Sequence, residues 1–442
     1  MITFNNELEL ARRSVLNWEG KGLLRCVTVV RDVFGRLSFL VDAQEYPEEG
    51  IRGSLEGLLE RDLGKYFAKP VYWENMPAKK RRYLEPMIDL MKEGRKTWRV
   101  EQGVEFYLSE RTIAKKAWVC QARQETVWPY EDALEGGKPK VVTFYSFKGG
   151  MGRTTTLASV ALQMARKGKN VMMVDTDIEA PGLATLFLDE ELIESGVLDY
   201  LLEYAVDGEA DISGYVMDVA DPALLRETDG KLYVLPAGKV DGNYLQKLAR
   251  IDYQDHREGA LRDSMCSMLE AIAGKYQVDY ILIDARAGFH DMGGIAVSQL
   301  PHGAVLFGNH SRQSWDGIKQ VIRRIAESHV EDMPVLIADC MCENRTSAAF
   351  PSEKERFVAK AYEVCVENYY GDEEGIPGIE SVNVAHTPVF LPFDPSLRQE
   401  IVLYSRGSQE EGERVKAFAQ CLMSEEYKAV AARIGEWFGE GE

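Results

Sequence analysis

Residues 140–155 read Lys-Val-Val-Thr-Phe-Tyr-Ser-Phe-Lys-Gly-Gly-Met-Gly-Arg-Thr-Thr, and no other stretch constrains the fold as tightly. An apolar strand, Val141 to Tyr145, runs into a glycine-rich turn, and two threonines then open a helix. Glycines let backbone N–H groups close around phosphate oxygens, and a helix N-terminus adds partial positive charge. The usual phosphate-binding loop reads Gly, four residues, then Gly-Lys-Ser/Thr. Here Phe147 stands in place of the first glycine and Arg153 in place of the lysine, while Lys148 precedes the glycines.

Two further segments have the spacing of an α/β nucleotide fold. Val171-Met-Met-Val-Asp175-Thr-Asp177 is an apolar strand ending in two acids two residues apart, which places both on one side of an extended backbone. Tyr280-Ile-Leu-Ile-Asp284-Ala-Arg286-Ala-Gly288 is a second buried strand ending in an acid. Open α/β sheets bind ligands at the carboxyl ends of their strands. Leu232-Tyr-Val-Leu-Pro236-Ala237-Gly238 is a fourth matching strand and loop, and Val389-Phe-Leu-Pro392-Phe393-Asp394 a shorter fifth.

With these motifs in this order, the chain resembles the ParA/MinD group of P-loop ATPases (the signature-lysine, SIMIBI class). Lys148-Gly-Gly-Met-Gly-Arg-Thr-Thr155 looks closest to the KGGVGR-motif variant branch, with Met151 for its usual valine. The resemblance implies ATP and Mg²⁺ as ligands. Gly149, Gly150, Met151, Gly152, Arg153, Thr154 and Thr155 would cradle the phosphates, and Thr154 and Asp284 would serve the metal. Asp177, with Asp175 as second choice, would orient the attacking water. Lys148 would reach across a face-to-face homodimer to the partner's nucleotide, as an arginine finger acts in trans. Gly288 would mark the second switch, and Pro392 and Asp394 would lie against the adenine. Asn344, in the polar loop 343–352, is a further candidate for reading the base.

Departures from the pattern bear on turnover. Arginine is longer and planar, and it forks two N–H bonds onto phosphate, so it cannot sit where a lysine would. Ala285 and Ala287 replace hydroxyl residues common in the branch. The expected activity is ATP binding with slow hydrolysis, or binding alone.

Length and charge set the remaining bounds. The 442 residues suggest two or three domains. Residues 1–136 carry 22 basic and 22 acidic residues, so the remainder supplies the whole net charge of −19. That acidic half is expected to repel bare DNA, and nucleic acid is not expected as a partner. Lys79-Lys80-Arg81-Arg82 and 92–99 are local basic runs with interleaved acids, read as a solvated helix face. Seven scattered cysteines without a C-x-x-C pair read as reduced thiols. No apolar run approaches the roughly 18 residues of a membrane span, and no secretory signal opens the chain, so a cytoplasmic protein is expected.

The expected organisation is a small α+β domain over 1–130, a Pro/Gly-bearing linker over 131–139, and a doubly wound, mostly parallel α/β domain over 140–442. Strands are expected near 24–32, 35–42, 97–108 and 117–122, and one long helix over 409–439 that packs on the body. The small domain would address an unknown partner protein. Relatives in the branch often neighbour conflict and antiphage genes, so the resemblance also suggests a defence role. DNA partitioning or positioning and tyrosine kinase activity are the alternatives. The kinase reading lacks the usual tyrosine cluster, since only Tyr427 follows Tyr404.

Overall fold

The computed structural model describes residues 2–119, 126–225, 228–251, 260–329, 333–371, 375–398 and 400–440. It divides into two compact units, Met1–Ala114 and Lys115–Glu442.

In the first unit, β1 (Leu24–Arg31) and β2 (Leu37–Ala43) form the expected hairpin. Asp32 holds its turn by accepting the N–H groups of Phe34 and Arg36 at 2.9 and 2.8 Å. With β3 (Tyr72–Trp73), β4 (Lys96–Glu101) and β5 (Val104–Glu110) they build a mixed five-stranded sheet of order β3-β2-β1-β5-β4. The helix Glu49–Leu63 buries Leu55, Leu59 and Leu63 against it, the stripe legible in the leucine spacing.

The second unit has an eight-stranded sheet of order β13-β12-β11-β6-β10-β7-β9-β8. Its strands are β6 (Lys140–Ser146), β7 (Val171–Asp175), β8 (Met217–Asp218), β9 (Leu232–Leu235), β10 (Tyr280–Asp284), β11 (Gly303–Gly308), β12 (Val335–Cys342) and β13 (Val389–Pro392). Only the β8–β9 pair is antiparallel. β6, β7, β10 and β11 are buried at every residue, as parallel strands covered on both faces must be. Helices Ala260–Lys275, Arg312–Ser328 and Phe350–Asn368 cover one face; Arg153–Arg166 and the carboxyl-terminal helices cover the other. The fold is therefore the expected doubly wound α/β sheet with a small α+β unit before it.

Four expectations change. The units part at 114/115, not at 130. Residues 131–139 are not a free linker: Trp128 and Ala133 are buried, Trp128 Nε1 donates to Pro139 O at 2.9 Å, and Tyr130–Leu134 is helical. His302 pins the same segment, accepting from Val141 N–H through Nδ1 at 3.0 Å and donating through Nε2 to Trp128 O at 3.1 Å. In place of a strand over 117–122, Lys116–Val119 is a helix turn, because Ala117 and Trp118 pack on the helix Asp291–Ser298; residues 120–122 lie outside the described residues. The terminal helix is two, Gln409–Cys421 and Glu425–Trp437. They part where Leu422 O turns aside to accept the Ser159 hydroxyl. Val430, Ile434 and Phe438 pack on the body as expected.

Candidate nucleotide site

The glycine loop sits between β6 and the helix Arg153–Arg166. Gly150 and Gly152 take φ of +75° and +73°, a left-handed conformation that glycine adopts without Cβ strain. Gly152 is the N-cap, and the Thr156 hydroxyl returns to its carbonyl at 2.9 Å. Lys148, Gly149, Gly150 and Gly152 are exposed, Thr154 and Thr155 half-buried, and Met151 is anchored in the core beneath the loop.

The carboxyl ends of β6, β10 and β7 are neighbours in the sheet, so the loop, Asp284 and Asp175–Asp177 converge. The Thr154 hydroxyl donates to Asp284 Oδ2 at 2.6 Å. Arg153 is only 9% exposed. Its guanidinium turns down into the site, where Nε bonds Asp284 Oδ1 and Nη2 bonds Asp177 Oδ2 at 3.1 Å. Burial pushes the Asp284 carboxyl up and the Arg153 charge opposes it.

Asp175 and Asp177 separate into different roles. Asp175 accepts three backbone N–H groups: Asp177 at 3.0 Å, Gly182 at 3.2 Å and Leu183 at 3.0 Å. Its carboxylate is consumed in shaping the loop 177–183, and burial beside Asp284 pushes its pKa up. Asp177 faces the site, with Oδ1 buried and lacking a hydrogen-bond donor.

Three residues that the motifs did not single out complete the cluster. Arg286 Nη1 lies 3.5 Å from Asp177 Oδ1, and its Nη2 pairs with Glu179 at 2.8 Å. His290 Nε2 lies 2.6 Å from the other Glu179 oxygen. An unbroken charge chain thus runs Thr154–Asp284–Arg153–Asp177–Arg286–Glu179–His290 and ties the segment after β7 to the segment after β10. The available signal was alternation: Glu179 follows Asp177, and Arg286 follows Asp284, by two residues. Gly288 takes φ of +78°, its N–H bonds Ser146 O at 3.3 Å, and its carbonyl accepts the Tyr145 hydroxyl at 2.9 Å.

Pro392 and Asp394 are not part of this cluster. They end β13 at the sheet's edge, separated from β6 by β12 and β11. Asp394 caps its own turn, accepting Ser396 N–H at 2.9 Å and the Ser396 hydroxyl at 2.7 Å. Asn344 likewise closes its own loop, accepting from Thr346 N–H at 3.1 Å.

A family model described as an AAA domain (AAA_31) matches residues 139–333, the stretch that holds every member of the charge chain. Over 151 residues the chain is 29% identical to the septum site-determining protein MinD of Synechocystis, covering 34% of this chain and 46% of that protein. Residues 139–333 are thus similar to P-loop ATPases of the ParA/MinD type. An uncharacterized ATP-binding protein of Methanocaldococcus jannaschii is 29% identical to this chain over 150 residues, 34% of this chain and 46% of that one. The chain therefore spans less than half the length of either relative. Among solved structures, pNOB8 ParA aligns over 67% of this chain and 99% of its own, at 17% identity and a TM-score of 0.44. Among the described residues no helix is long and apolar enough to cross a membrane, and no cluster of three or more His, Cys, Asp or Glu is arranged to hold a metal ion.

Proposed function

We propose that this protein is an ATP-binding molecular switch that dimerises around ATP and Mg²⁺ and passes that state to a partner protein through its amino-terminal unit. The observation that carries the reading is the convergence of Thr154, Asp284 and Asp177 under a glycine loop at three adjacent strand ends. Backbone N–H groups of 149–155 would hold the phosphates. The ATP-binding description of one relative supports the choice of nucleotide.

The donor set fits Mg²⁺, being all oxygen, and Asp177 Oδ1 is buried without a donor of its own. When bound, that ion would neutralise charge on the phosphate oxygens. The chain's own part is to release Arg153 from Asp284 and Asp177, swinging the guanidinium from carboxylates to phosphate. Asp177, freed, would orient water, while Asp175 holds the loop that carries it. Lys148, exposed at the loop's outer face, is available to a second subunit. Without hydroxyls at 285 and 287, turnover is expected to be slow.

Light scattering on the full chain tests this, without nucleotide, with ATP–Mg²⁺ and with ADP, for wild type and Lys148→Ala. A dimer that forms only with ATP and is lost in the variant is the expected result. Unchanged mass despite measurable ATP binding would sink the switch and leave a structural nucleotide site.

A positioning or partition ATPase is the second reading, favoured by the similarity to MinD. The net charge of −19 weighs against a DNA surface. Retention of ATP-loaded protein on DNA at moderate salt would reverse that ranking.

A further inference from the structure

We infer that Trp118 is the element through which the nucleotide state of the second switch reaches the amino-terminal unit. The inference rests on the nucleotide-binding reading above and adds its route of transmission.

The first unit ends at Ala114. Lys115, the next residue, takes φ of +64°, a conformation that side chains adopt only when the surroundings hold it. The helix turn Lys116–Val119 follows at once. It is docked at three points: Arg324 Nε donates to Ala117 O at 2.6 Å, Lys115 Nζ lies 3.7 Å from Asp291, and Trp118 Nε1 donates to His290 O at 2.7 Å. The last bond lands on the second switch itself.

The indole also fills a slot made for it. Gly294 is in the interior of the helix Asp291–Ser298, a position where glycine weakens a helix. A Cβ there would meet the Trp118 ring nitrogen at 2.7 Å. Helix propensity is given up so that the ring can lie flush on the switch helix.

Two lines connect this ring to the phosphate loop. One is aromatic. Trp118 meets Phe289 at 5.0 Å between centroids, Phe289 meets Phe147 at 4.8 Å, and Trp118 meets Tyr145 at 5.9 Å. Phe147 is the residue that replaces the loop's usual first glycine, and it is seated on Gly317, where a Cβ would come within 2.0 Å of its ring. The aromatic substitution in the loop thereby acquires a role: it starts a packed track from phosphate loop to switch to the segment that follows the first unit in the chain. The other line is polar, from Asp177 through Arg286 and Glu179 to His290, whose carbonyl Trp118 reads. A ligand that breaks the Arg153–Asp177 pair disturbs both lines where they meet.

Hydrogen exchange on the full chain tests this, with and without a non-hydrolysable ATP analogue and Mg²⁺, alongside titration with a fluorescent ATP derivative. In wild type, nucleotide should alter exchange of 286–295, 111–119 and the amino-terminal unit 2–110 together, by about fivefold or more. Trp118→Ala should bind nucleotide within about threefold of wild type and keep the response at 286–295, but lose it at 111–119 and throughout 2–110. Trp118→Phe, which keeps a ring without the N–H donor, should retain part of the response and guards against a folding defect in the alanine variant. A wild-type response confined to 286–295, or a full response at 2–119 in Trp118→Ala, overturns the coupling while leaving the nucleotide site standing. Absence of nucleotide binding in wild type overturns both, and the titration separates the cases.

Discussion

The two halves of the central sheet's carboxyl edge are built on opposite electrostatic plans. At the centre, where β6, β7 and β10 end, each acid has a partner: Asp284 has Arg153 and Thr154, Asp177 has Arg153, and Asp175 has three backbone N–H groups. Toward β12 the plan lapses. Asp339, paired with Gly308 across the β11–β12 ladder, is 1% exposed, and neither carboxylate oxygen has a hydrogen-bond donor. His310 Nε2 is 3.3 Å from Oδ2, an ion-pair distance without good bonding geometry, and burial lowers its pKa so that it brings no charge at neutral pH. Beside it, Met341 stands exposed at φ of +57° in a bulge of β12, and Phe393 is exposed at the end of β13. The difference teaches that the inner half is closed by its own ions while the outer half holds a buried acid that folding alone does not satisfy.

The largest expected effect comes from opening the closed half. Asp284→Ala leaves the buried Arg153 with Asp177 as its remaining counter-ion, and breaking a buried pair by removing one partner costs up to roughly 3–5 kcal/mol. Denaturant melting should show that loss, and Asp284→Asn combined with Arg153→Met should recover most of it. No recovery would mean that Asp284 stabilises the fold by some means other than the pair.

Next comes the pH dependence of the outer half. Burial, with Glu353 nearby, pushes Asp339 up to about 7. Its folded pKa thus exceeds its unfolded one, so between pH 4 and 7 the folded chain keeps a proton that the unfolded chain has released. This residue's contribution therefore falls as pH rises through that window, by at most about 4 kcal/mol. Asp339→Asn should flatten that part of the stability profile and raise stability at pH 8. A profile unchanged by the substitution would show that the acid is satisfied after all, and the contrast between the halves would collapse.

A smaller effect sharpens the contrast from the ligand's side. Lysine at 153 is a shorter point charge on a flexible stem, without the planar fork that holds Asp284 through Nε and Asp177 through Nη2. Arg153→Lys should raise affinity for ATP–Mg²⁺ by about tenfold, close to 1.4 kcal/mol, by titration. Weaker binding would identify Arg153 as a phosphate ligand first and an internal counter-ion second. The smallest effect is at Asp394→Ala. Losing its turn-capping bonds should cost about 1 kcal/mol or less. An accompanying loss of nucleotide affinity would extend the site to the β13 edge, and unchanged affinity would confine Asp394 to its turn.

These contrasts mark how far the sequence could be read. Strand ends were legible because an apolar run stopped by an acid, as at Asp284 and Asp175, is a local pattern. The loop was legible because glycine at 150 and 152 answers a backbone need visible in spacing alone. The direction of Arg153 was not, since residue type tells the reach of a guanidinium and not which of two anionic neighbours it takes. Composition misled at 131–139, where Gly136, Gly137 and Pro139 suggested a loose connector, while Trp128 and Ala133 tie the segment to the core. At 117–119 aromatic and β-branched residues suggested a strand, and tertiary packing of Trp118 overrode propensity. The break between the terminal helices had a local signal that went unread, since Ser424 followed by Glu425 and Glu426 is a helix start, while the Ser159 hydroxyl bonded to Leu422 O comes from far away in sequence.

The internal pairing of Arg153 also has a kinetic face. A triphosphate approaching a chain of net charge −19 meets repulsion at long range, and a pocket with three naked carboxylates at its floor would deepen it. Arg153 and Arg286, lying among Asp177, Glu179 and Asp284, bring the mouth of the site close to local neutrality before any ligand arrives. Added salt screens the distant charge and leaves these short buried contacts nearly untouched. Nucleotide capture should therefore quicken modestly as ionic strength rises, where a pocket that drew its ligand in by a positive field would slow.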